Sequence, residues 1–241
     1  MEQALRHVDA LTSPSAFLAE RIRDAAISDL PIRVMPNVVD TVPAAPRMAT
    51  EDSAVLNVGY LGQHTPTKGV EVLLDAINLL PKARRSHFDF RIYGGGSDRF
   101  GEEFHAKITA HGALRRKNVS LRGSYSPARL RDILAGLDVI VVPSTWWENS
   151  PVVIEEALSA GVPVICSDIG GMAEKVRDGI DGWHFRTGDS HHLADLLESL
   201  TSECVRDLRS SMRSPLQSDR AVRPYVAMYG DLLSETVRVG V

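Results

Sequence analysis

The stretch of this 241-residue sequence with the most chemical potential runs from Ser144 to Ala157: Ser144-Thr145-Trp146-Trp147-Glu148-Asn149-Ser150-Pro151, then Val152-Val153-Ile154-Glu155-Glu156-Ala157. A β-branched apolar run precedes it, so Glu148 falls in the loop beyond a buried strand. Ser150-Pro151 opens a helix, since proline suits a first helical position. Backbone N–H groups near Ser150, Val152 and Val153 then face the strand's carboxyl end, where a pyrophosphate can dock on unpaired donors and the helix dipole. Glu156 lies about one and a half turns in, among Val152, Val153, Ala157 and Ala160. A buried carboxylate needs a partner, and ribose hydroxyls qualify. The plainer reading of Glu148 is an exposed loop carboxylate. The plainer reading of Trp146 and Trp147 is packing of at least one over the sheet edge.

Three other loops have chemical potential. In Gly62-Gln63-His64-Thr65-Pro66-Thr67-Lys68-Gly69 a glycine leaves a strand and a lysine arrives where the next helix begins. That places a cation beside a phosphate-binding helix terminus, or else a solvated lysine on a turn. It is not a P-loop, which needs Gly-Lys-Ser/Thr in that order. Gly94-Gly95-Gly96-Ser97-Asp98 has Arg99 where a dinucleotide fingerprint requires glycine. It is a tight turn or a close backbone approach to a ligand. Asp168-Ile169-Gly170-Gly171-Met172-Ala173-Glu174 offers the same two readings. His191 and His192 are adjacent, so they point to different sides of a helix and read as surface residues.

The elements that position these loops alternate. Strands are expected at Val55–Leu61, Phe88–Tyr93, Asn118–Leu121, Asp138–Val142, Val162–Cys166 and around Trp183–Phe185. Helices lie between them: Val70, Leu73, Leu74, Ile77 and Leu80 mark one face, Pro81 stops it, and another passes Phe104 and Ile108. Ser126-Pro127 is expected to cap a helix to Ala135. Gly161 ends the helix that Pro151 opens, a short helix covers Met172–Val176, and Asp189 caps one through Leu200. Strand–helix alternation with short connections means a parallel sheet covered on both faces, a doubly wound α/β fold whose ligands sit at the carboxyl ends of the strands. Residues 1–50 differ. They hold a strand end and helix near Leu11–Ile22, a short strand at Ile32–Met35 and a proline- and alanine-rich linker over Asp40–Asp52. A final helix covers Ala221–Leu233.

Composition excludes several classes. The chain is 44% hydrophobic and 24% charged, as in an ordinary globular protein. With 27 Lys and Arg against 31 Asp and Glu, the net charge of −4 lacks the basic surplus of a nucleic-acid binder. The local runs Lys82-Ala83-Arg84-Arg85 and Arg115-Arg116-Lys117 read as solvated helix ends. Cys166 and Cys204 form neither a disulfide framework nor a zinc motif, which fits a cytosolic setting. No apolar stretch approaches the ~20 residues of a membrane span, and Met1–Ala10 is not a signal peptide.

Jointly the loops resemble the retaining family 4, or group 1, glycosyltransferases of GT-B architecture. Members carry a glutamate, seven residues, then a second glutamate followed by alanine, here Glu148 through Glu156-Ala157. Ala160-Gly161-Val162-Pro163-Val164-Ile165, Gly170-Gly171, Glu174, Gly62 with Lys68-Gly69, Gly94 to Gly96, Pro143-Ser144, and Asp178-Gly179 with Asp181-Gly182 match in order. Ser13–Leu18 and Val34–Asp40 resemble the last strand–helix unit and exit linker of the N-terminal domain, and the Tyr225–Leu233 helix resembles the terminal helix that returns to it. The resemblance divides the chain into residues 1–50, the end of an otherwise missing acceptor domain plus linker; 51–215, a Rossmann-like nucleotide-sugar domain; and 216–241, the returning helix.

The resemblance implies sugar transfer, with retained anomeric configuration, from a nucleoside-diphosphate sugar to a glycan or lipid-linked acceptor, as in polysaccharide biosynthesis. Lys68 and the backbone of Ser150, Pro151, Val152 and Val153 would hold the diphosphate, Glu156 the ribose and Glu148 the donor sugar. Gly62, Gln63, Gly94 and Gly96 would line the donor site. No metal or cofactor is implied. Gln63 stands where the family often has an arginine, leaving Lys68 the principal cation, and Asn149-Ser150-Pro151 replaces the commoner Gly-Phe-Gly. The alternatives are another GT-B enzyme, such as a nucleotide-sugar epimerase, and a non-catalytic nucleotide-binding module. A cytoplasmic protein is expected, free or peripheral at the inner membrane face, whose exposed apolar faces seek a separate N-terminal chain or a second copy.

Overall fold

The computed structural model of the chain describes residues 8–27, 29–38, 55–96, 99–212 and 218–239. The expected linker and domain boundary near residue 50, the boundary near 216, and Ser97-Asp98 lie outside those residues. Six strands form one parallel sheet: β3 (Leu56–Leu61), β4 (Phe88–Tyr93), β5 (Val119–Gly123), β6 (Val139–Val142), β7 (Val164–Ser167) and β8 (Gly182–Phe185). Their order is β5-β4-β3-β6-β7-β8. Strands β1 (Leu11–Ser13) and β2 (Ile32–Val34) pair separately, also in parallel.

In chain order the helices are α1 (Ala16–Asp24), α2 (Val70–Leu79), α3 (Lys82–Arg85), α4 (Arg99–Thr109), α5 (Leu130–Ala135), α6 (Val152–Ser159), α7 (Gly170–Lys175), α8 (Ser190–Ser199), α9 (Ser202–Ser211) and α10 (Ser218–Val239). Helices α2, α4, α8 and α9 pack on one face of the six-stranded sheet and α5, α6 and α7 on the other. One apolar cluster joins Val58, Phe90, Ile92 and Val139 to Leu73, Ile77, Leu193 and Leu197; the other joins Ile140, Val164 and Cys166 to Leu134, Ile154, Ala157 and Met172. This is the doubly wound parallel architecture expected from the alternating sequence.

The chain winds outward from β3 in one direction as far as β5, then crosses back and winds the other way from β6. The loops after β3 and β6 therefore follow adjacent strands at the switch point, where ligands of such sheets bind. Those loops carry Lys68 and Glu148.

Two expectations change. Ser126 makes no side-chain cap; a 3₁₀ turn at Pro127–Arg129 precedes α5 instead. The basic runs are not merely solvated. Arg85 donates to the carbonyls of Ile77, Asn78 and Leu80, closing the end of α2 before Pro81. Arg116 donates to Asn78 Oδ1 at 2.8 Å, and Arg84 to the Leu200 carbonyl at 2.6 Å. Unsatisfied carbonyls at helix ends draw in guanidinium donors.

Candidate functional site

Glycine permits the close approach of the two central loops. Lys68 ends a 3₁₀ turn at Pro66–Lys68, and Gly69 follows with φ +68°. A Cβ there would lie 1.8 Å from the Pro143 carbonyl oxygen. Only glycine allows that crossing in that conformation. The loops are then tied: Thr145 N donates to Thr67 O at 2.9 Å, and Ser144 Oγ lies 2.7 Å from the same carbonyl.

The crossing brings Lys68 Nζ to 2.6 Å from Glu148 Oε1. Ser144 Oγ lies 3.0 Å from the same carboxylate oxygen, so its one hydrogen serves either Glu148 or Thr67 at a time. Glu148 is thus not the exposed loop carboxylate of the plainer reading; its side chain is 17% exposed. An ammonium has three donors. With one on Glu148 and the side chain 39% exposed, Lys68 keeps capacity for an anion.

A second pair of loops crosses beside them. Gly94 has φ +123°, and a Cβ would meet the Gly62 carbonyl oxygen at 1.7 Å. His64 N donates to Gly95 O at 3.0 Å. Gly62, Gly94 and Gly96 thus lie together at the carboxyl ends of β3 and β4. Gln63 is exposed, and its carbonyl accepts the Tyr60 hydroxyl at 2.7 Å.

At α6, Pro151 is the N-cap and makes no side-chain cap. Ile154 N bonds Pro151 O at 3.0 Å. Ser150 is buried, and its Oγ has no hydrogen-bond partner among the described residues. This helix start therefore offers backbone N–H groups to a ligand. No donor among the described residues reaches the half-buried Glu156, whose carboxyl is pushed above the usual carboxylate range by burial.

Sequence reasoning missed the tyrosines. Burial pushes the Tyr60 hydroxyl far up, with Glu148 and Tyr125 adding to it. Tyr125 is raised by burial and then by Glu156. Two aromatic hydroxyls therefore stand within electrostatic reach of the two glutamates. Tyr60 reads as an ordinary strand residue, and nothing in the pattern sets Tyr125 apart. His64 was also missed. Its Nδ1 lies 2.7 Å from His105 Nδ1, the rings stack at 4.8 Å, and its Nε2 is buried without a partner among the described residues.

The loop from Trp146 to Ser150 is held from behind by α7. Gly171 N donates to Glu148 O at 2.6 Å, and a Cβ on Gly171 would lie 1.9 Å from Asn149 O. Neither tryptophan is covered as the plainer reading held: Trp146 and Trp147 are 63% and 52% exposed. Trp147 meets the Phe17 ring edge-on at 5.8 Å.

Known proteins resemble this chain in sequence and in fold. The sequence profile of a family described as "Glycosyl transferases group 1" matches residues 54–203. A phosphatidyl-myo-inositol mannosyltransferase of Mycobacterium leprae is 31% identical over 67% of this chain and 41% of its own length. A lipopolysaccharide 1,2-N-acetylglucosaminetransferase of Salmonella typhimurium is 32% identical over 70% of this chain and 45% of its own. The chain thus spans less than half the length of these relatives. Among solved structures, Anabaena HepE in complex with UDP and glucose superposes with a TM-score of 0.76 at 20% identity, over 94% of this chain and 64% of that one.

Proposed function

Because the chain belongs to the group 1 glycosyl transferase family, we propose that the crevice at the β3–β6 switch point binds the diphosphate of a nucleotide-sugar donor, and that the chain acts in retaining sugar transfer. The observation that carries this reading is the 2.6 Å contact of Lys68 with Glu148, two residues before Ser150 and the opening of α6. Lys68 and the N–H groups of Val152 and Val153, with Ser150 and Pro151 shaping the turn, hold the diphosphate. Negative charge develops there as the sugar departs, and fixed donors aimed at it lower the barrier. No metal is needed for that role.

Glu148 faces the donor sugar and orients Lys68. Glu156 accepts ribose hydroxyls, which provide the hydrogen bonds its half-buried carboxylate lacks. Gly62, Gln63, Gly94 and Gly96 let the donor lie against backbone. The HepE structure holds UDP and glucose, and the Salmonella relative is named for N-acetylglucosamine transfer. Both support a sugar nucleotide as the ligand class.

In this reading residues 51–215 form the donor-binding unit, and the acceptor, a glycan or lipid-linked glycan, is held by a unit of which β1, α1 and β2 are the end. Catalysis requires donor and acceptor at reacting distance, an orientation worth ~7–11 kcal/mol. The chain alone is therefore expected to bind donor and transfer sugar negligibly. No helix among the described residues is long and apolar enough to cross a membrane, and we place the protein in the cytoplasm, free or peripheral to the inner membrane face. The exposed Val226, Tyr229 and Leu233 of α10 would meet the acceptor-side chain or a second copy.

Proton NMR of the anomeric signals, with a panel of sugar nucleotides and the chain alone or with a candidate acceptor-domain chain, tests the reading. Transfer with retention, seen only with the added chain, is expected. Epimerised donor without transfer would favour an epimerase instead. No turnover and no donor binding would leave a non-catalytic module.

A further inference from the structure

Helix α1 is capped in two stages. Its own N-cap, Ser15, accepts Leu18 N through Oγ and Ala19 N through its carbonyl, both at 3.2 Å. That leaves the amides of Ala16 and Phe17, the first two of the helix. Both are taken by one carboxylate from far along the chain. Ala16 N donates to Glu174 Oε1 and Phe17 N to Glu174 Oε2, each at 3.0 Å. A carboxylate accepting backbone N–H groups at a helix start gains from both the charge and the dipole. Glu174 therefore fastens α1 to α7.

That fastening bears on the candidate site because the segment around α1 holds the two ends of the loop 147–150 and α7 holds its middle. From one side, Phe17 stands edge-on to Trp147, and Asn37 Nδ2 donates to Ser150 O at 3.4 Å. From the other, Gly171 N holds Glu148 O, and the missing Gly171 side chain leaves room for Asn149 O. Tyr225 of α10 adds a strut, its hydroxyl 3.1 Å from the carbonyls of Met35 and Pro36.

We propose that Glu174 is a positioning residue for the loop 147–150. By holding the start of α1 it seats Phe17 against Trp147 and keeps Glu148 where it meets Lys68. Displacement of α1 from α7 then loosens the loop. The positioning stands on the contacts alone; only its effect on donor affinity rests on the reading of the crevice as a donor site.

Hydrogen exchange on the full chain and on Glu174→Gln, Glu174→Ala and Phe17→Ala tests this, with UDP, GDP and ADP titrated into each. In Glu174→Ala the amides of residues 16–18 and of 146–150 should exchange faster, while β3 stays protected. Glu174→Gln, which keeps an acceptor, should recover part of that protection, and Phe17→Ala should loosen residues 146–150 without loosening α1 equally. Affinity for the nucleotide that the parent binds should fall roughly three- to thirtyfold in Glu174→Ala. Faster exchange at residues 16–18 with residues 146–150 unchanged would overturn the proposal, as would loosening of β3 to the same degree, which would mark Glu174 as a general stabiliser. If the parent binds none of the three nucleotides, the donor reading fails, and the exchange at residues 146–150 still decides the positioning role.

Discussion

At the scale of single residues, the site is built from charges and rings whose neighbours decide their state. His64 is the clearest case. Burial, and then His105, lowers its pKa from 6.5 to about 4. Their facing Nδ1 atoms need one donor and one acceptor. Above pH 6.5 the imidazole is neutral in the folded and unfolded chain alike, so its contribution to stability is whole. Between pH 6.5 and about 4 the unfolded chain takes a proton that the fold refuses, and stability falls with pH. Melting temperatures measured across that window should decline more steeply for the parent than for His64→Asn; equal slopes would show that His64 is not the group responsible. In the sequence Glu148 stood out as a charge just beyond a β-branched run, Lys68 as a cation where a helix begins and Glu156 as a carboxylate among apolar helix neighbours; the structure brings Lys68 and Glu148 together. Tyr60, Tyr125 and His64 were not, because aromatic residues in strands and loops are ordinary core material until the fold shows what they face.

The elements owe their placement to a few glycines and to short strand–helix connections. Most strands and helices followed from apolar periodicity, and Gly161, with φ +69° just past α6, marked a helix end as expected. What periodicity cannot show is how closely two loops cross, since that depends on strand order. Gly69 is where β3's loop passes under β6's, with φ +68° and a Cβ position 1.8 Å from Pro143 O. Gly69→Ala should lower unfolding free energy by ~1–3 kcal/mol or more, from left-handed strain and overpacking together. It should also weaken nucleotide binding, because Lys68 and Glu148 no longer meet. Urea unfolding gives the first quantity and calorimetry the second; a variant as stable as the parent would show that the crossing has room to relax. The charge runs were misread for a related reason. Arg84, Arg85 and Arg116 find helix-end and loop partners that are distant in sequence or lie behind a proline stop.

For the molecule as a whole, the strand order β5-β4-β3-β6-β7-β8 sets where a ligand can bind, and the chain belongs to the group 1 glycosyl transferase family. The sheet was readable from strand–helix alternation; that its switch point would fall between β3 and β6 was not, although the two loops with the most chemical potential follow those strands. The central claim is that this crevice binds a nucleoside diphosphate through Lys68, the start of α6 and Glu156, with no metal. Calorimetric titration of UDP, GDP and ADP in the presence of chelator, into the parent and into a folded Glu156→Gln, tests it most directly. The account predicts binding of at least one nucleotide by the parent, weakened in the variant by ~1–3 kcal/mol, as for loss of a charged hydrogen-bond acceptor. Binding that appears only with added magnesium, or equal affinity in parent and variant, would contradict it.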